Sequence, residues 1–270
     1  MRSTARHRST ESLARTGVGK ALWATSLLLG VLWPPFARAY RPFNSTDAAV
    51  AGRGELEIEC GPVGWLAEGP ERSLVAPSLI LNWGFAEAME MVLEGRQFLQ
   101  LGNNASEPRL RVEDTALSLK RVLREGTIQD KTGFSIATEI GALLPTINGE
   151  PGAGAEGAVI VSQRWTDLTV HLNGAVGWTR AHRLGLFGGL IIEAHDVWAL
   201  RPVAELFVEE ERDAPVVLSG LAGAIWRAQE NLSLDTALRL ARAGGVRTTE
   251  IRAGVTWAFE VGFPHSRSEP

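Results

Sequence analysis

The sequence predicts an all-β chain, a single up-and-down antiparallel transmembrane β-barrel of about twelve strands behind an export signal. Three observations carry this. Apolar and polar residues alternate with a period of two over most of the chain. Strand-like runs recur at even spacing to the end, with no comparable 3.6-residue pattern. The chain opens on a basic, then apolar, then small-residue leader.

The leader comes first. Arg2, Arg6, Arg8, Arg15 and Lys20 precede an apolar run from Ala21 to Trp33, followed by Pro34-Pro35 and Ala37-Arg38-Ala39. This is the order of a secretory signal. The apolar run is shorter than the roughly 20 residues that a membrane-spanning helix needs. Cleavage is expected after Ala39. Residues 40–53 then form an N-terminal segment, periplasmic or plugging a lumen; residues 54–263 form the barrel, and 264–270 a tail. The expected location is the outer membrane of a Gram-negative cell. Gly17-Val18-Gly19-Lys20 lacks the upstream Gly and the following Ser or Thr of a phosphate-binding loop.

Twelve runs fit strands: Gly54–Leu66, Leu74–Phe85, Ala88–Leu99, Asp114–Arg124, Gly133–Leu144, Gly157–Arg164, Leu168–Thr179, Arg183–Ala194, Ala199–Glu210, Pro215–Ala228, Leu232–Ala243 and Thr249–Phe263. The first carries Glu55, Glu57 and Glu59 on one face. The stretch 86–94 has high helix propensity, yet Met89, Met91 and Leu93 alternate with Glu90 and Glu94. In the fourth run Arg121 shares the apolar face with Leu117, Leu119 and Leu123. The seventh alternates most cleanly: Leu168, Val170, Leu172, Val176 and Trp178 against Thr169, His171, Asn173, Ala175 and Gly177. After a turn at 180–183, Leu184, Leu186, Leu190 and Ile192 resume the apolar face. Leu232 to Arg242 is also helix-prone, but its leucines alternate with Ser233, Asp235, Ala237, Arg239 and Ala241. The last run sets Ile251, Val255, Trp257 and Phe259 against Glu250, Arg252, Thr256 and Glu260. A period of two places such sets on opposite faces of a strand. A wall between hydrocarbon and water needs this pattern; a half-buried soluble sheet would show it too.

An even strand number puts both chain ends on one side. The long third and fifth connections, Gln100 to Glu113 and Pro145 to Glu156, then fall outside the cell, and the tight turns at 86–87 and 165–167 inside. Glu125 to Thr132 is long for an inner turn. Trp65, Phe85, Phe98, Trp165, Trp178, Trp198, Trp226 and Trp257 stand near strand ends, where rings suit membrane interfaces.

Charge excludes one partner class. The leader holds six basic residues against Glu11, so residues 40–270 carry 21 basic and 30 acidic side chains, net −9. Nucleic acid binding wants the opposite excess. Cys60 is the only cysteine, so no internal disulfide holds this exported chain.

The polar face is the candidate site. Glu90, Glu94, Arg96, Glu139, Arg201, Glu205, Arg239 and Arg252 are expected to line the lumen, among further polar-face residues such as Lys120, His171, Asn173, Glu193, Glu209 and Asp235. No catalytic, metal or cofactor residue is expected. Gly152-Ala153-Gly154-Ala155-Glu156-Gly157 matches GxGxxG but lies behind Pro145 and Pro151 and before Val159-Ile160-Val161, not between a strand and a helix. His171, His182 and His195 show no HxxxH spacing, and no CxxC occurs. A hydrolytic Ser-His-Asp set drawn from Ser118, Ser135, Ser219, His171 and Asp235 is selected by nothing in the pattern. Three Asn-x-Ser/Thr sequons start at Asn44, Asn104 and Asn231.

The segment Tyr40-Arg41-Pro42-Phe43-Asn44-Ser45-Thr46-Asp47-Ala48-Ala49 is followed by GRGELEIE at 52–59. Next in order come Asp114 to Lys120 (DTALSLK), Glu139 to Thr146 ending in Leu-Pro-Thr, Asp167 to Gly177 and Arg201 to Phe207. This succession resembles the outer-membrane proteins named for the meta pathway of phenol degradation, across essentially the whole mature chain. The resemblance implies one outer-membrane barrel with a channel or transport role, and no catalytic residues. The expected function is passage of small solutes, with small hydrophobic or aromatic compounds as the class the family name suggests. Outer-membrane lipid, the barrel-assembly machinery and a small-molecule solute are the expected partners. The alternatives are a non-transporting barrel with a structural or surface-binding role, and a soluble sandwich or lipocalin-like binder.

Overall fold

The computed structural model describes residues 41–102 and 108–262. The export signal, the cleavage site after Ala39, Phe263 and the tail lie outside them. Twelve strands form: β1 (Glu55–Glu68), β2 (Glu71–Ala86), β3 (Met89–Gln100), β4 (Leu110–Arg124), β5 (Ser135–Leu143), β6 (Gly154–Arg164), β7 (Leu168–Trp178), β8 (Leu184–Ala194), β9 (Leu200–Glu211), β10 (Val217–Gln229), β11 (Leu232–Ala243) and β12 (Val246–Glu260). Each pairs antiparallel with its sequence neighbours, and β1 closes on β12 into a barrel. Closure satisfies both edges of the sheet, which a lipid-facing wall requires. An 11-residue strand such as β7 is about 35 Å long, and a tilt near 45° turns that into a band of about 25 Å.

Register follows the alternation. Leu117, Leu172, Val176, Leu186, Leu206, Leu218, Leu240, Ile251 and Trp257 point outward and are exposed. A soluble protein rarely leaves so continuous an apolar surface bare. The soluble-sandwich reading needs a second sheet over Leu172 and Val176; instead both stay 53% exposed on the outside of one closed sheet. Trp165, Trp178, Trp198, Trp226 and Trp257 are exposed on the outside as well. Phe98 departs from the expected girdle. The alternation that turns Glu90, Glu94 and Arg96 inward turns Phe98 inward too, where it is 5% exposed beneath the Arg96 guanidinium. Arg121 is exposed on the apolar side but pairs with Met89, the first residue of β3. It therefore sits at the rim, where a charge costs little.

Two of the wall's register shifts contain proline. β1 slips between Cys60 and Val63, and β2 between Val75 and Ser78. The prolines are Pro62 and Pro77, which cannot donate to a ladder and so settle where pairing is interrupted. The β1–β2 register runs unbroken past both and sets Gly61 opposite Ser78. A Cβ on Gly61 would strike the Arg41 guanidinium and the Ser78 hydroxyl.

We call the end where β1 begins and β12 ends proximal, and the other distal. The long connections after β3 and β5 are distal. The latter folds back so that Ile147 bridges Val112. The long proximal turn after β4 has a structural reason. It contains a short 3₁₀ turn, Thr127–Gln129, with Ile128 buried. Ile128 N–H donates to Ser135 Oγ at 3.0 Å and Gln129 Nε2 to the Ala48 carbonyl at 2.8 Å. The turn folds over the barrel mouth and holds the chain that lies inside.

Candidate channel lumen

That inner chain is residues 41–53. It descends from mid-lumen, where Arg41 meets Glu59, to the proximal rim, where Gly54 N–H donates to the Gly84 carbonyl. It pairs with no strand, so the wall's side chains must satisfy its peptide groups. Arg41 N–H donates to Glu59 Oε2 at 2.8 Å. Asn44 and Ser45 N–H both reach the Glu205 carboxylate, at 2.9 and 2.6 Å. Thr46 exchanges two bonds with the Asn173 amide, 3.1 and 2.8 Å. Ala48 N–H donates to Ser162 Oγ at 2.9 Å, Ala51 N–H to Glu90 Oε2 at 2.6 Å and Gly52 N–H to Glu55 Oε2 at 2.7 Å. Ionised acceptors make such bonds stronger than neutral ones. Gly84 permits the close approach: a Cβ there would overlap the Ala51 and Gly52 carbonyls.

Side chains of the segment are held as firmly. Lys120, 0% exposed, lies 3.5 Å from Glu90 and 3.6 Å from Asp47, and donates to Thr46 Oγ1 at 3.1 Å. The Arg41 guanidinium lies 3.4 Å from Asp235 Oδ2 and donates to Ser78 Oγ at 2.6 Å. Arg252 Nη1 donates to the Pro42 carbonyl at 2.6 Å. Apolar packing is slight by comparison: Ala48 rests on Ala137 and Ile160. Polar bonds fix this segment, and polar bonds can be exchanged for water more readily than packed apolar area.

Beyond residues 41–46 toward the distal end lies a cavity of about 410 Å³. On one side Glu250 gathers three guanidiniums: Arg96, Arg239 at 3.1 Å and Arg252 at 2.9 Å. Arg96 reaches it from β3 across β2 and β1. Its register neighbour there is Ser78, and Gly64 faces Arg252, so nothing bulky intervenes. The cluster carries three positive charges against one negative. Arg96 also approaches Asp114 at 3.4 Å. On the other side Glu94, Glu139 and Glu156 line the cavity, with Phe187 and Glu209 continuing the wall.

All eight residues singled out in the sequence point inward, but they divide by task. Glu90 and Glu205 bind the inner segment. Glu94 and Glu139 face the cavity. Arg96, Arg239 and Arg252 converge on Glu250. Arg201 lies 3.0 Å from Glu193 at the proximal half of the wall. Lys120, Glu55, Glu59 and Asn173, placed by the sequence on the wider polar face, are inside as well, and so are Glu250 and Ser162, which were not singled out.

The Ser-His-Asp set that nothing in the sequence selected does not assemble. His171 Nδ1 bonds to Ser162 Oγ at 2.7 Å, and its Nε2 lies 3.2 Å from Glu193, so Ser118, Ser135, Ser219 and Asp235 are not its partners. Ser162 is 0% exposed with its hydroxyl taken by Ala48 N–H. The trio therefore ties the segment to the wall. The GxGxxG stretch leads into β6, with Gly152 and Gly154 packed on the Arg180 and Trp178 backbones, and no helix follows. Among the described residues no group of His, Cys, Asp and Glu is arranged to hold a metal ion.

No protein-family model and no curated protein sequence matches the chain. Solved structures do. The chain is similar to the COG4313 outer membrane channel from Pseudomonas putida F1, with a TM-score of 0.61 and 10% identity over 80% of this chain and 100% of that one. It is similar to the NanC porin, with a TM-score of 0.56 and 9% identity over 75% and 98%. It is also similar to the KdgM porin solved with disordered oligogalacturonate, at 0.50 and 14% over 75% and 99%. These structural neighbours are outer-membrane β-barrel channels.

Proposed function

We propose that this twelve-stranded barrel is an outer-membrane channel for small solutes, with its proximal end in the periplasm and residues 41–53 closing the lumen on that side. One observation carries the reading: a closed wall, apolar outside and charged inside, holds a strand-less segment in its lumen by exchangeable polar bonds. A filled structural barrel would occupy that space with its own wall side chains, leaving room for neither an inner segment nor a cavity. Export by a signal cleaved after Ala39 belongs to the same reading; the protein purified from outer membranes should have the mass of residues 40–270. The finer reading adds kinship with the family named for the meta pathway of phenol degradation and, as solutes, small hydrophobic or aromatic compounds; for the solutes the support is the aromatic pair Phe187 and Phe207, 5.4 Å apart on the inner wall.

Removal of residues 41–53 tests the closure. The truncated barrel should conduct severalfold more than the full chain in planar bilayers, with its heat-modifiable gel mobility retained. Equal and negligible conductance of both forms would favour a non-transporting barrel that acts through its distal loops.

A further inference from the structure

The charges around the distal cavity differ in how far they are engaged. The basic ones are each held by an ion pair or by hydrogen bonds, though Glu250 balances only one of its three guanidiniums. Arg96, Arg239 and Arg252 share Glu250, and Arg41 faces Asp235. Arg180 donates to the carbonyls of Leu144 and Thr115, at 2.8 and 2.6 Å. Lys120 is the register neighbour of Glu139, yet it turns to Glu90 and Asp47. Glu94, Glu139, Glu156 and Glu209 form no ion pair among the described residues, and all four line the cavity. They come from β3, β5, β6 and β9, so they face the space from different parts of its circumference.

Among them stands an aromatic ring. Phe187 lines the cavity, half-buried, and is the direct register neighbour of Glu209. The ring beside it, Phe207, already carries the Arg239 guanidinium 5.3 Å from its centre. Among the described residues Phe187 has no such cation. An aromatic ring beside carboxylates that form no ion pair among the described residues attracts a cation with organic substituents. The carboxylates supply the charge and the π face supplies the contact that a hydrated metal ion cannot use.

We infer that the distal cavity binds small organic cations, quaternary or primary ammonium ions carrying an apolar group, in preference to anions and to uncharged molecules of the same shape. The inference rests on the channel reading for its physiological use, but binding itself needs no passage.

The test is calorimetric titration of the full chain in detergent with three probes: benzyltrimethylammonium, its uncharged isostere neopentylbenzene, and benzenesulfonate. Only the first should bind, and high salt should weaken it. Glu94→Gln/Glu139→Gln should lower its affinity roughly tenfold, and Phe187→Leu about threefold, whereas Glu210→Gln, on the outer side of β9, should leave it unchanged. Heat-modifiable mobility verifies that each variant is folded. Comparison of the probes on the unaltered protein needs no variant. Equal binding of benzenesulfonate, or affinity for benzyltrimethylammonium unmoved by the double substitution, overturns the inference. Reconstituted conductance separates the two readings. Binding without passage would overturn the channel and leave the cation site standing, and passage without binding would do the reverse.

Discussion

Lys120→Met should be among the most destabilising single substitutions in the barrel. The new side chain matches the old in volume but leaves Glu90 and Asp47 facing each other without the ammonium between them. Glu90 is as fully buried as Lys120. Removing one partner of a buried pair costs about 3–5 kcal/mol, because the other charge remains out of water. The loss should appear as a lower urea midpoint for the transition from folded to unfolded gel mobility. Since Thr46 and Asp47 lose their anchor, the variant should also open in planar bilayers more often than the unaltered chain. Lys120→Met/Glu90→Gln should recover a good part of the stability, as a double-mutant cycle on contacting groups does. If Lys120→Met unfolds at the same urea concentration as the unaltered chain, these charges do not hold the segment.

Glu250→Gln attacks the other half of the lumen. It removes the one carboxylate that, among the described residues, forms an ion pair with Arg239 and Arg252, and leaves Arg96 paired with Asp114. Net charge in the cluster rises from two positive to three. Three guanidiniums crowded on one side of a narrow cavity repel one another, so a loss of about 3–5 kcal/mol is expected here too. The double variant Glu250→Gln/Arg239→Gln should be more stable than Glu250→Gln alone. The functional sign is equally definite. With Glu250 neutral, the freed arginines attract anions, and the reversal potential in a salt gradient should move toward the anion side. A reversal potential unchanged in a folded Glu250→Gln barrel would mean that the cluster does not face the permeation path.

The two substitutions show how differently the parts of this molecule can be read from the chain. All twelve strands were legible, and so was the face on which most side chains stand, Phe98 being one that turned inward instead. The helix-prone stretches at 86–94 and 232–242 became strands because their leucines and methionines alternate, and burial in a wall outweighs propensity. The pairing of lumen charges was not legible. Nothing local marks Glu250 as the partner of Arg96, which lies 154 residues away. Nothing marks Ser162 rather than Ser118 or Ser135 as the neighbour of His171. The long turn after β4 made no sense as a simple inner turn until the segment it covers was in place.

By itself, then, the order of residues determined the strands, their number, their inner and outer faces and the up-and-down course. These depend on a two-residue period and on nearest-neighbour pairing, which are properties of short stretches. The tertiary structure alone decided that residues 41–53 lie within the cylinder, that the arginines gather on Glu250, and that Glu94, Glu139, Glu156 and Glu209 are left facing open space. Closing β1 on β12 brings remote side chains within a few ångströms across the lumen. Charge and hydrogen-bond energies depend on that distance, not on separation along the chain.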